Sequence, residues 1–154
     1  MSTVARLVAP DGGFAQPSPT YHRLMLDVLT AAETLRRRWN GPPAAPATLA
    51  RAAAATRFLA RVTCPETGAL PRIGHQDGSA FDGFPDDARG SLVRATALFG
   101  AANPAPEWSA TGYRGWSAGG ARAVMRVGPL RFRPGHADLL HLDLWDGPLN
   151  LLRD

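Results

Sequence analysis

Apolar side chains recur at three- and four-residue steps through the first part of the chain. Tyr21, Leu24, Met25, Val28, Leu29, Ala32 and Leu35 fall on one face, which predicts a helix from about Thr20 to Trp39 with that face buried. Asn40-Gly41-Pro42-Pro43 stops it, with a left-handed cap at Asn40 or Gly41 and prolines that cannot continue. A second helix is predicted over Pro46–Val62, with Thr48 as its candidate cap. Leu49, Ala52, Ala55, Phe58, Leu59 and Val62 form its stripe, and the small alanines let a neighbouring helix come close. Cys64 to Phe84, dotted with Pro, Gly and Asp, reads as a long loop, and loops of this length in compact domains are usually functional. A third helix is predicted from Pro85 to Phe99, with Asp86 or Asp87 near its start and Gly100 at its end.

After Pro104 the period changes to two. Gly112–Ser117 and Ala121–Val127 read as strands joined around Gly119-Gly120. Further on, Leu140, Leu142 and Leu144 alternate with His141, Asp143 and Trp145; the leucines are expected inside and the other three at the surface. Asp146-Gly147 signals a tight turn, and Pro148–Leu152 begins a return strand. Helices first and antiparallel strands second predict an α+β fold with segregated layers, not a βαβ sheet. Three helices and about four strands bury little core alone, and a return strand that has just begun leaves an open edge. The pattern therefore predicts a piece of a longer chain.

Composition changes this picture little. The 154 residues suit one domain or the junction of two partial ones, and a 45% hydrophobic fraction argues against disorder. The net charge of +4 comes from 17 basic residues, all arginine and mostly scattered. Without a basic face interleaved with aromatics, nucleic acid is not an expected partner. The single cysteine, Cys64, allows no internal disulfide, and no stretch of some 18 apolar residues could span a membrane. Met1–Ala15 lacks the basic-then-apolar layout of a signal peptide.

Two segments could carry chemistry. Asp11-Gly-Gly-Phe-Ala-Gln-Pro-Ser-Pro-Thr-Tyr21-His22-Arg23 is a polar loop delivering Tyr and His at a helix start. A phenol placed there can donate or accept a proton when cations lie nearby, or it can simply pack its ring on the helix. Arg131-Phe-Arg133-Pro-Gly-His136-Ala-Asp138-Leu-Leu-His141 is the second. By strand parity His136 and Asp138 share the face of the leucines, and buried polar groups need partners. They either satisfy each other and the backbone, or bind a metal or substrate.

In this order, the two segments resemble the heparinase II/III family. Asp11-Gly-Gly-Phe leading to Ser18-Pro-Thr-Tyr21-His22-Arg23 is similar to that family's "DGSF…S..YHR" stretch, and Phe132 to Trp145 is similar to its "H-A-D-x-L-x-h-x-h" stretch. Asn150–Asp154 resembles the strand leading into "D-x-G-T-Y", and the helices and the Leu70–Gly78 loop also fit. The resemblance implies the end of an incomplete α/α toroid over residues 1–103 and the start of a β-sandwich over 104–154. It also implies an acidic polysaccharide as partner, a secreted or periplasmic parent, and dependence on missing segments of that parent chain.

The same resemblance assigns roles. Tyr21 stands where the family tyrosine protonates the leaving oxygen, and His136 and Asp154 stand where two ligands hold a structural zinc. Two ligands are too few for stable zinc, so a further histidine is expected downstream. Arg133 is a candidate contact for an acidic substrate, or else a solvated loop arginine. The chain departs from the family at Pro134, where many members carry a histidine, and it lacks the earlier Asn and His that neutralise the substrate carboxylate. Expected chemistry is β-elimination: carboxylate neutralisation acidifies the C5 proton, a base removes it, and Tyr21 as the acid protonates O4; the base is Tyr21 itself where the geometry is syn, or His136 in place of the histidine that Pro134 replaces. The expected function is a lyase fragment, inactive alone. The alternatives are a non-catalytic carbohydrate-binding or interaction module on the same scaffold, and a small unrelated helix-plus-sheet domain. Heparan-like, alginate-like and bacterial exopolysaccharide substrates stay open.

Overall fold

The computed structural model of the protein describes residues 3–78, 80–100, 105–128, 136 and 138–153. They form an α+β fold: α1 (Thr3–Leu7), α2 (Pro19–Arg38), α3 (Pro46–Val62) and α4 (Arg89–Phe99) precede the strands β1 (Glu107–Ala110), β2 (Tyr113–Ala118), β3 (Ala121–Arg126), β4 (Leu142–Asp146) and β5 (Leu149–Leu152). The strands make one antiparallel sheet in the order β1-β2-β3-β4-β5, a meander in which each strand pairs with its sequence neighbour. Helices α2, α3 and α4 pack on one another, and α1 lies against α3.

Local chemistry accounts for most boundaries. Ser18 caps α2 by accepting from the Tyr21 backbone N–H, and Pro19 supplies the preset φ of a first helical residue. Asn40, at φ 50°, turns the chain out of the helix. Helix α3 has the expected span, but Thr48 lies inside it and Ala45 occupies the cap without a side-chain bond. Helix α4 starts at Arg89, four residues later than expected: the Asp87 carboxylate accepts from the Arg89 backbone N–H and holds the preceding turn. The 3-residue-period reading missed α1, and β1 went unseen because Glu107–Ala110 is short. Gly119 and Gly120, at φ 56° and 89°, make the β2–β3 turn that side chains would resist.

The core joins α3 to the sheet. Phe58 meets Trp108 and Tyr113 edge-on, with ring centres 6.0 and 5.2 Å apart, and Leu26, Leu59, Val62, Ile73 and Val124 complete the cluster. Inward positions form cross-strand rows, such as Trp108, Gly115, Val124 and Asp143. The other face carries Trp116, Ala123, Leu144 and Leu152 in register, with Met125 and Leu142 beside them. Among the described residues no helix packs on that row, and Trp116 and Leu152 are exposed.

Two expectations about faces are overturned. On β4 the inward residues are Asp143 and Trp145, both buried, while Leu142 and Leu144 take the outer face and Leu140 is exposed. Parity is reversed because Asp143 finds donors inside: Trp145 Nε1–H, Asn150 Nδ2–H at 3.1 Å and the Arg72 backbone N–H at 3.4 Å. His141 is half-buried, not at the surface. On α2 the buried face holds His22, Arg23, Leu26, Asp27, Thr30 and Glu33, whereas Val28 and Leu35 of the apolar stripe are exposed. Hydrogen bonds make that polar face buriable, as the site shows.

Candidate functional site at the helix–sheet junction

Residues 21 to 23 enter three environments from one helical turn. Tyr21 is half-buried at the front of α2, with its ring centre 6.1 Å from that of His75 in an edge-on arrangement. His75 in turn meets His136 edge-on at 5.0 Å. The phenol from the helices and the imidazole from the sheet half thus reach one place, bridged by a histidine from the long loop.

That loop is pinned where it matters. The Ser18 and Thr20 hydroxyls both donate to the His75 carbonyl, at 2.6 and 2.8 Å. Ser18 therefore caps α2 and anchors the loop with one oxygen. Gly74, at φ 73°, lies so close to Pro17 that a Cβ would run into the Pro17 carbonyl, and Gly78 lies close on Thr20. From the sheet side the Asp138 carboxylate accepts from the Gly74 backbone N–H at 2.5 Å. Asp138 is therefore a loop anchor, not a partner of His136 on a strand face; His136 itself is exposed and lies in a bend.

His22 points the opposite way. It is buried against Phe58, ring centres 4.5 Å apart, with its Nε2–H donating to the Ala55 carbonyl at 2.9 Å. Burial lowers its pKa to about 4, the Ala55 bond opposing only in part, so the ring is neutral and its Nδ1 has no partner among the described residues. It is a core residue.

Arg23, also buried, is saturated. It donates to Ser91 Oγ (2.8 Å), to the Phe84 and Pro85 carbonyls (2.8 and 3.1 Å), and to Asp82 (2.8 Å). Asp27 accepts from Ser91 and Arg94, and Arg94 also reaches Asp82 at 3.0 Å. Burial pushes the Asp82 carboxyl up, but Arg94, the Phe84 backbone N–H and Arg23 outweigh it and hold it below the usual range. This network ties the end of the long loop to α2 and α4.

The other tyrosine is unsuited to proton transfer. Tyr113 is sealed in the core, burial pushes its phenol up, and its hydroxyl has no partner among the described residues.

Beside the ring series lies a cleft of about 320 Å³ between loop and sheet, lined by Thr20, Arg72, Gln76, Asp86, Trp145 and Arg153, among others. Thr20 and Gln76 are the chain neighbours of Tyr21 and His75. Of the residues expected from sequence, Tyr21 and His136 are brought together through His75, while Arg133 and Asp154 lie outside the described residues. His75 was missed as a site residue. Its signal was available in Gly74-His75-Gln76, a histidine within a long loop that already looked functional. Among the described residues no group of three or more His, Cys, Asp or Glu is placed to hold a metal ion, and no helix is long and apolar enough to cross a membrane. No protein-family model, curated protein or solved structure matches the chain.

Proposed function

We propose that the chain is part of a lyase that cleaves uronic-acid-containing polysaccharide by β-elimination, with Tyr21 as the acid. The observation that carries this is the series Tyr21–His75–His136, which sets a phenol beside an imidazole, with their chain neighbours Thr20 and Gln76 lining a cleft. In the proposed reaction an imidazole removes the C5 proton. The freed electron pair forms the C4=C5 double bond, the C4–O4 bond breaks, and Tyr21 delivers its proton to O4. His75 suits the base better than His136, because it is the imidazole next to the phenol and its backbone is fixed. It would supply the function that Pro134 cannot.

Two uncovered apolar surfaces support placing the chain within a larger toroid and sandwich. Val28 and Leu35 on α2 are exposed, where earlier toroid helices would pack. The Trp116–Ala123–Leu144–Leu152 row is a sheet face of the kind a second sheet covers. Carboxylate neutralisation is assigned to residues of those earlier helices, so the chain alone is proposed to be inactive. Structural zinc remains part of this proposal through His136 and Asp154, but two donors are fewer than zinc requires, and no step runs through a metal.

The test is ultraviolet absorbance from the unsaturated uronate when the parent protein is mixed with heparosan, alginate or other acidic polysaccharides. Absorbance should rise on at least one of them, and Tyr21→Phe should abolish the rise. Silence on all of them, with a folded parent, would leave a non-catalytic carbohydrate-binding module as the better reading.

A further inference from the structure

We propose that the cleft beside the ring series is a subsite for the carboxylate of an acidic sugar, held by Arg72 and Arg153. The choice of a sugar rests on the lyase reading; the choice of an anion rests on the cleft itself. Its walls bring two arginines from separate parts of the chain to one concavity, against a single carboxylate, Asp86. Neither guanidinium makes a hydrogen bond or ion pair among the described residues, whereas Arg23, Arg36, Arg37, Arg89 and Arg94 are all paired to acids. Exposed arginines such as Arg57 and Arg114 also lack an acidic partner among the described residues; what sets Arg72 and Arg153 apart is that two like charges share one concavity, which favours an anionic occupant.

The cleft is also built. Buried Asp143 reaches both walls, accepting from the Arg72 backbone N–H on the loop and from Asn150 on β5, three residues before Arg153. One buried carboxylate therefore links the backbone of one arginine to the strand that leads to the other. Gln76 donates its Nε2–H to the Gly74 carbonyl at 3.1 Å, which leaves its exposed Oε1 free to accept from a sugar hydroxyl. A planar guanidinium matches a carboxylate with two parallel hydrogen bonds, and a hydroxyl beside it is what distinguishes a uronate from a simple anion. Because Thr20 and Gln76 adjoin Tyr21 and His75, a sugar seated here is the neighbour of the one at the phenol. The subsite positions the chain without neutralising the reacting carboxylate.

Calorimetric titration of the purified chain tests this, with a heparosan tetrasaccharide, an alginate tetrasaccharide, the carboxyl-reduced heparosan tetrasaccharide and inorganic phosphate as probes. At least one uronate tetrasaccharide should bind, with the reduced one and phosphate at least tenfold weaker. Arg72→Gln with Arg153→Gln should weaken binding at least tenfold, with the near-ultraviolet circular dichroism unchanged. Arg114→Gln, at an exposed position on β2 away from the cleft, should bind as the unaltered chain does. Binding that survives the double substitution, equal binding of the reduced sugar or of phosphate, or no binding of either uronate would overturn the subsite. Absence of turnover in the parent together with carboxylate-dependent binding would instead sink the lyase reading and leave the subsite standing.

Discussion

Arg23 and Tyr21 sit two residues apart on α2 and head two regions built on opposite terms. Behind the helix, Arg23, Asp27, Asp82, Ser91 and Arg94 are closed on one another, with each buried charge matched by an opposite charge or a carbonyl. In front, Tyr21, His75 and His136 touch as rings, and the nearby Arg72 and Arg153 have no acidic partner among the described residues. A saturated network has nothing left to offer a ligand and serves the fold. An unsaturated one forgoes stability and keeps donors and acceptors available for something else. Both are polar and come from the same few residues of sequence, so polarity alone could not have told them apart.

The comparison breaks most visibly if the rear network proves dispensable. Arg23→Ala would leave Asp82 partly uncompensated and the Phe84 and Pro85 carbonyls and Ser91 without their donor, and denaturant unfolding should show a loss of about 3–5 kcal/mol. A loss below about 1 kcal/mol would mean the network is ornamental. Next in size is the acid response of His22. Its folded pKa of about 4 lies below the unfolded value of 6.5, so the unfolded chain binds more protons between them and stability falls as pH drops. The contribution is complete above about pH 6.5 and is lost on passing through about pH 4. It amounts to roughly 3 kcal/mol at the usual 1.36 kcal/mol per pK unit. Unfolding midpoints across that range should drop for the unaltered chain and flatten for His22→Phe.

Smaller effects sharpen the front region. Gly74→Ala forces a side chain into a left-handed residue flush on Pro17, and should cost about 1–3 kcal/mol while separating the His75 ring from Tyr21. Loss of contacts between those rings in a proton NMR spectrum would register it. Tyr21→Phe and His75→Gln should each shift stability by no more than about 0.5 kcal/mol, as expected away from the core. A large loss from either would make that ring a structural element and weaken its proposed role.

Fold class was legible from the change of period, three-to-four before Pro104 and two after it, and the α3 span was legible from its stripe and flanking prolines. Faces were harder. On α2 the apolar count pointed to Leu24, Val28 and Leu35, but the helix buries His22, Arg23 and Asp27 because their partners Ala55, Asp82, Ser91 and Arg94 arrive from as many as about seventy residues away. On β4 the same blindness reversed the parity, since Asp143 is satisfied by Arg72 and Asn150. Local pattern can register which residues are polar, but it carries no information about a distant donor. Tyr21 and His136 were readable as chemistry from their own segments. His75, which joins them, was not, because its role depends on the loop lying against the start of α2.

At Gly74 and Gly78 the loop lies with bare backbone against Pro17 and Thr20, where the chain enters α2, so backbone packing helps set the separation between phenol and imidazole. Such a spacer has no rotamers to sample and no side chain to repack, so its length does not drift when neighbouring residues change. The reacting groups inherit the stiffness of the main chain, and a single methyl group added at Gly74 would wedge them apart.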